Sequence, residues 1–170
     1  NVRLAEARLG PLGVEVVRVS LTREGLMPFE TGEFDLVLNR HSGLNADEVA
    51  RVLAPGGVFL TQQIHGLWAQ DLLAAFDAAP PWPDATPEID VARLAAAGLE
   101  IRTVETWQGR LIFHDVGAVV YYLKAVPWLV PGFSVATHTN DLLRLHARLQ
   151  RDGALIFEAR KYLIEAVKRG

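Results

Sequence analysis

The sequence predicts an α/β domain built on a parallel sheet, and three observations carry that reading. Residues 34–39, FDLVLN, are a short apolar run bounded by turn signals, as expected of a strand buried on both faces. A capped helix and a Pro-Gly-Gly turn separate that run from a second one, VFLTQQ at residues 58–63. Strand, helix, tight turn and strand within about 30 residues make a right-handed βαβ unit. Downstream, helical and alternating segments continue to take turns.

Composition sets the bounds. The 170 residues amount to a single domain over 1–170, long enough to bury a core. Half are apolar and 22% are charged, the balance of a soluble globular chain. A net charge of −3 and an isoelectric point near 6.0 speak against a nucleic-acid partner. No cysteine is present, which excludes disulfides, thiolate nucleophiles and cysteine-bound metal clusters, and suits a cytoplasmic location. The longest apolar run, over 116–130, is interrupted by Lys124 and Pro127, short of the ~20 residues that span a membrane. The chain opens on Asn1-Val2-Arg3 without a basic or apolar leader. It is therefore expected to begin inside a structural unit.

The elements follow in order. Val2, Leu4, Ala5, Leu9 and Leu12 share one face of a short helix, with Gly13 placed as its cap. Residues 14–19, VEVVRV, alternate and predict a strand; a loop over 22–32 leads into FDLVLN. Asn45 followed by Glu48 has capping-box spacing, so a helix starts there and ends at Pro55-Gly56-Gly57. A second helix is expected over 66–78, ended by Pro80-Pro81-Trp82-Pro83, and a third over 87–97, closed by Gly98. Residues 99–107 alternate as a strand. Helices over 115–124 and 140–151 come next, the latter capped by Thr139 or Asn140 and closed by Gly153. One long strand or a hairpin fills 155–167.

Two segments carry a family resemblance. Residues 26–37, LMPFETGEFDLV, resemble the LPF-x-x-x-x-FD-x-V passage into the fourth strand of class I S-adenosylmethionine (SAM) dependent methyltransferases. Residues 48–59, EVARVLAPGGVF, resemble their E-x-x-RVL-x-PGG-x-F passage from helix to fifth strand. The pairing makes physical sense: Phe34 and Val37 anchor a buried strand, and glycine lets the chain reverse tightly. The likeness runs over essentially the whole chain, and residues 39–41 and 61–63 fit a small type 11-like branch.

The resemblance implies a Rossmann-like sheet, helices on both faces and strand order 3-2-1-4-5-7-6. It implies S-adenosylmethionine as cofactor and methyl transfer to a small or medium organic acceptor. The family also carries, upstream of these motifs, a glycine-rich loop for the methionine end of SAM and an acid for its ribose. No such glycine cluster is present here. The chain is thus expected to be the C-terminal portion of the domain, lacking the first two strands and incompetent by itself. Residues 14–19 would then lose their neighbour and FDLVLN would become a raw apolar edge. Upstream residues or another chain, including a second copy in a homodimer, would fill that gap. The rival reading is a non-catalytic binding or assembly module; a nicotinamide dehydrogenase shares architecture alone.

Open α/β sheets hold ligands at the carboxyl ends of their strands, and this selects the candidates. His41 and Arg40 close the central strand and form the candidate catalytic pair. The imidazole suits proton acceptance or substrate orientation, against the plainer reading of a polar strand end facing water. The resemblance places Leu26 and Met27 near adenine, and Asn39 with them on the cofactor side. Of Gln62 and Gln63, alternation sends one toward the crevice to hydrogen-bond substrate. The stretch over about 108–152 looks like an insertion before the last strand. Its Tyr121, Tyr122 and Trp128 are expected to line an acceptor pocket as part of a lid. Asp115 reads as a helix cap. His65, His114, His138 and His146 lack metal-like spacing, so no metal site is expected.

Overall fold

In the computed structural model, which describes residues 2–19 and 25–170, α1 (Val2–Leu9) runs into a 3₁₀ turn (Gly10–Leu12). Gly13 caps the turn at a φ of 75°. Residues 14–19 form no strand, because no described residue pairs with them. An alternating segment becomes a strand only when a ladder partner takes its N–H and C=O groups. Residues 22–24 of the expected loop lie outside the described residues.

Between the next two strands, β1 (Phe34–Arg40) and β2 (Leu53–Ile64), lies α2 (Ala46–Val52). The Asn45 side chain accepts the Glu48 N–H at 3.2 Å, so the predicted cap forms. The reciprocal half of the box does not, since Glu48 turns to Met27 and Arg51 instead. The helix gives way at Leu53, before the Pro-Gly-Gly sequence. The β1–β2 register jumps from Phe34 beside Leu53 to Leu36 beside Val58, so residues 54–57 bulge from the ladder rather than end the helix. Gly57 is required there: a Cβ would sit 2.8 Å from the Ala54 carbonyl oxygen and 3.0 Å from that of Phe34.

The second predicted helix shrinks to α3 (Gln70–Ala74), because Ala69 and Asp77 both take a left-handed φ of 52°. Next come α4 (Pro87–Ala96), capped by Thr86, and β3 (Leu99–Phe113), which runs on past residue 107. Asp115 caps α5 (Val116–Ala125) through the Ala118 N–H at 2.7 Å. Neither Thr139 nor Asn140 caps α6 (Thr139–Asp152); His138 precedes it, and the Thr139 hydroxyl donates back to the Val135 carbonyl at 2.7 Å. The last element, β4 (Leu155–Lys168), is one strand.

The sheet order is β1-β2-β4-β3. β1 and β2 are parallel, while β4 is antiparallel to both β2 and β3. β4 is therefore the single reversed strand, and the order reproduces the 4-5-7-6 half of the expected arrangement. Helices cover both faces, but at opposite ends. On one face α2 and α4 bury Val49, Leu53, Phe59, Leu94, Tyr162 and Ile164. On the other, where β3 and β4 extend beyond β2, α3, α5 and α6 enclose Phe113, Val119, Leu145, Leu155 and Phe157. FDLVLN is therefore not buried on both faces. Val37 packs inward, whereas Leu36 and Leu38 are 53% and 67% exposed, because no described element covers their side of this edge strand.

Candidate functional site

The loop before β1 is fastened by α2. Buried Glu48 accepts from Arg51 twice, Nε to Oε1 at 2.7 Å and Nη2 to Oε2 at 2.8 Å, and from the Met27 N–H at 2.6 Å. Arg51 gives further hydrogen bonds to the carbonyls of Phe29, at 2.8 Å, and Met27, at 3.0 Å. Asn45 Nδ2 adds a bond to the Gly25 carbonyl at 3.2 Å. Both oxygens of the buried Glu48 carboxylate are engaged, the condition under which a buried charge is tolerated. Arg51, then the Met27 N–H, hold the Glu48 carboxyl below its usual range. The two segments that carry the resemblance are thus joined through Glu48 and Arg51. Met27 packs onto the core, and Leu26 stands 77% exposed on a fixed backbone beside the start of α2.

At the carboxyl end of β1 the candidates divide by face. Asn39 and Gln63 turn inward: Gln63 Nε2 donates to Asn39 Oδ1 at 2.9 Å, and Asn39 Nδ2 to the Gly43 carbonyl at 3.0 Å. The same Gln63 amide bonds the Ser42 carbonyl and Thr61 Oγ1, so this pair is spent on holding the turn. Arg40 and Gln62 share the opposite face, Nε to Oε1 at 3.0 Å. His41 then takes a left-handed φ of 51° and donates its N–H to the Gln62 carbonyl at 2.9 Å. Partial burial, followed by the charges of Lys161 and Arg40, pushes the imidazole pKa down. A neutral His41 is a proton acceptor at pH 7.

Next to Gln62 the sheet carries a groove of about 400 Å³, lined by Gln62, Glu105, Trp107, Lys161 and Leu163 among others. Lys161 Nζ lies 5.5 Å from the centre of the Trp68 ring and 5.9 Å from that of Trp107, within cation–π range. Trp68 Nε1 donates to the Tyr122 hydroxyl at 2.9 Å, which ties α5 to the groove. Tyr121 and Trp128 are not brought there. They are 77% and 49% exposed, and Trp128 lies against Trp82 with ring centres 6.3 Å apart.

Sequence reasoning missed Lys161, Trp107 and Trp68. The one local signal was the Arg160-Lys161 pair inside an otherwise apolar strand; the β3–β4 register that sets Trp107 opposite Lys161 is not written locally. Among the described residues no group of His, Asp or Glu could hold a metal ion. No described helix is long and apolar enough to cross a membrane.

No family model and no curated protein matches the chain. Solved structures match its fold. A protein described as a candidate methyltransferase from Bacillus halodurans is similar over 99% of this chain and 79% of its own, at 18% identity and a TM-score of 0.61. YcgJ from Bacillus subtilis matches over 99% and 78%, at 20% identity and a TM-score of 0.60. Geranyl diphosphate C-methyltransferase from Streptomyces coelicolor A3(2), solved with Mg2+, geranyl-S-thiolodiphosphate and S-adenosyl-L-homocysteine, matches over 98% and 57%, at 16% identity and a TM-score of 0.51. The [4+2]-cyclase SpnF is similar as well, over 99% and 62%, at 17% identity and a TM-score of 0.50. Likeness at such identities is one of architecture. The strand order, the single reversed strand and the helices on both faces match the 4-5-7-6 half of the class I SAM-dependent methyltransferase fold.

Proposed function

We propose that this chain serves SAM-dependent methyl transfer to a small or medium organic acceptor. The observation that carries the reading is a juxtaposition at one end of the sheet. A fastened loop presenting Leu26 is tied through Gly25 to Asn45, just past the carboxyl end of β1 where Arg40, His41 and Gln62 stand. The loop lies on the α2 face, and Arg40 and Gln62 lie on the other. The fold is shared with a methyltransferase solved with the demethylated cofactor, which supports the cofactor, and with a cyclase, so fold alone does not decide the chemistry.

The residues present fit part of the cofactor. Leu26 and its backbone suit the adenine edge, while no glycine loop or ribose-binding acid stands among the described residues. This chain by itself is therefore expected to bind SAM weakly. When bound, SAM supplies an electrophilic methyl group on a sulfonium. The protein's part is alignment and exclusion of water. Arg40 and Gln62 hold the acceptor's polar end and neutral His41 takes up the proton it releases, while α5 reaches the edge of the groove through the Tyr122–Trp68 hydrogen bond. The rival is a non-catalytic binding or assembly module that keeps the fold without the cofactor loop; Asn39 and Gln63, expected to meet cofactor and substrate, are already occupied by each other.

An NMR titration with millimolar SAM tests the reading. Shifts confined to residues 25–29 and 39–41 support it; no response there overturns it. Micromolar affinity by calorimetry would overturn the expected weakness alone. In protein that turns over, Arg40→Ala and His41→Gly are expected to cut turnover at least tenfold. Their effect on stability should stay within about 0.5 kcal/mol, since glycine accepts the left-handed backbone at position 41.

A further inference from the structure

The groove beside Gln62 holds a cation whose charge is unspent. Among the described residues no carboxylate lies within ion-pair distance of Lys161. Its neighbour Arg160 has taken Glu158, at 2.7 Å. Two indoles, Trp68 and Trp107, flank the Lys161 ammonium, and rings of this kind hold a cation in place without cancelling its charge. Across the sheet, Arg40 pairs with Gln62, and Lys161 pairs with Ile64 two residues further along β2. Because side chains alternate, Arg40, Gln62 and Lys161 all project from the same face. Arg40 uses Nε on Gln62, and no described residue engages its two terminal nitrogens.

We propose that Lys161 and Arg40 form a subsite for a carboxylate borne by a partly apolar acceptor. The inference rests on the methyl-transfer reading for calling that ligand an acceptor. Gln62 offers its amide between the two cations, and Trp107 and Leu163 wall the groove for the ligand's body. Glu105 lines the same groove. Its negative charge tells against a phosphate, which carries close to two charges at neutral pH, and favours a monoanion. Burial, then the charges of Lys161 and Arg40, lower the His41 pKa, so each cation lies within electrostatic reach of the strand end where His41 stands. Charge-assisted hydrogen bonds of this kind are about twice as strong as neutral ones.

The experiment titrates the full chain with benzoate, phenyl phosphate and neutral benzamide, reading Trp indole and backbone amide signals by NMR. Benzoate is expected to shift the Trp68, Trp107 and Lys161 signals, and benzamide to bind at least tenfold more weakly. Lys161→Gln should weaken benzoate at least tenfold, with Lys161→Arg restoring most of the loss. Should Lys161→Gln fail to fold, Arg40→Gln takes its place, with a smaller loss expected. No benzoate response, equal binding of benzamide, tighter binding of phenyl phosphate, or unchanged affinity in the folded variant overturns the proposal. SAM is titrated separately. A benzoate response without a SAM response leaves the subsite standing and removes methyl transfer, and the converse result does the reverse.

Discussion

Tyr162 carries a phenol into the core, and its hydroxyl has one partner. It donates to Asp90 Oδ2 at 2.6 Å, and Asp90, 5% exposed, is held in turn by Arg93 at 3.1 Å. Burial, with the bond to Asp90, raises the phenol pKa far above its ordinary value, so Tyr162 remains a donor. Tyr162→Phe removes a hydrogen bond to a charged group while Arg93 still pairs the carboxylate. A loss of about 1.5–3 kcal/mol is expected, measured by urea denaturation. His65 gives a pH prediction. Its Nδ1 accepts the Leu67 N–H at 3.0 Å, which requires that nitrogen to be unprotonated. Burial, then the charge of Arg160, push its pKa below the ordinary 6.5. As pH falls the unfolded chain binds the proton first. The stability His65 lends is present above 6.5 and is lost as pH drops through the lower folded value. Melting temperature is expected to decline over that window. His65→Asn, which keeps an acceptor for Leu67 and cannot titrate, should flatten the decline.

Among the elements, helix starts marked by a capping side chain were legible in advance, and helix breaks set by left-handed backbone were not. Asn45, Thr86 and Asp115 each accept an N–H three residues on, a pattern that adjacent letters disclose. The short α3 is bounded by left-handed Ala69 and Asp77, and alanine seldom adopts such a backbone unless tertiary contacts hold it. The loop over 25–29 depends on α2 through Glu48 and Arg51. Glu48→Gln is expected to speed hydrogen exchange at the Met27 amide at least tenfold, with α2 kept by its Asn45 cap. Unchanged exchange would show that the loop is held otherwise. Gly57→Ala should destabilise by roughly 1–3 kcal/mol in thermal melts, since its Cβ meets two backbone carbonyls that cannot give way.

At the scale of the whole molecule, one side of β1 is left uncovered by the described residues. Leu36 and Leu38 point from an edge strand into open space, the arrangement that invites strand-to-strand association. Leu38→Lys is expected to lower self-association in light scattering with little loss of melting temperature, because the side chain is 67% exposed. Local letters determined the βαβ unit, the helix caps at Asn45 and Asp115, and the order of elements from residue 34 onward, because capping and periodicity act within a few residues. They also marked Arg40, His41 and Gln62 as strand-end residues. The missing upstream strands, read from the resemblance, already implied that residues 14–19 lack a neighbour and that β1 is an edge; tertiary structure alone decided that Gln63 turns inward while Gln62 faces the groove. It alone set Lys161 between Trp68 and Trp107. The reason is physical: whether a strand forms, and which of its faces is covered, depends on partners distant in sequence, and a register between strands has no local signature.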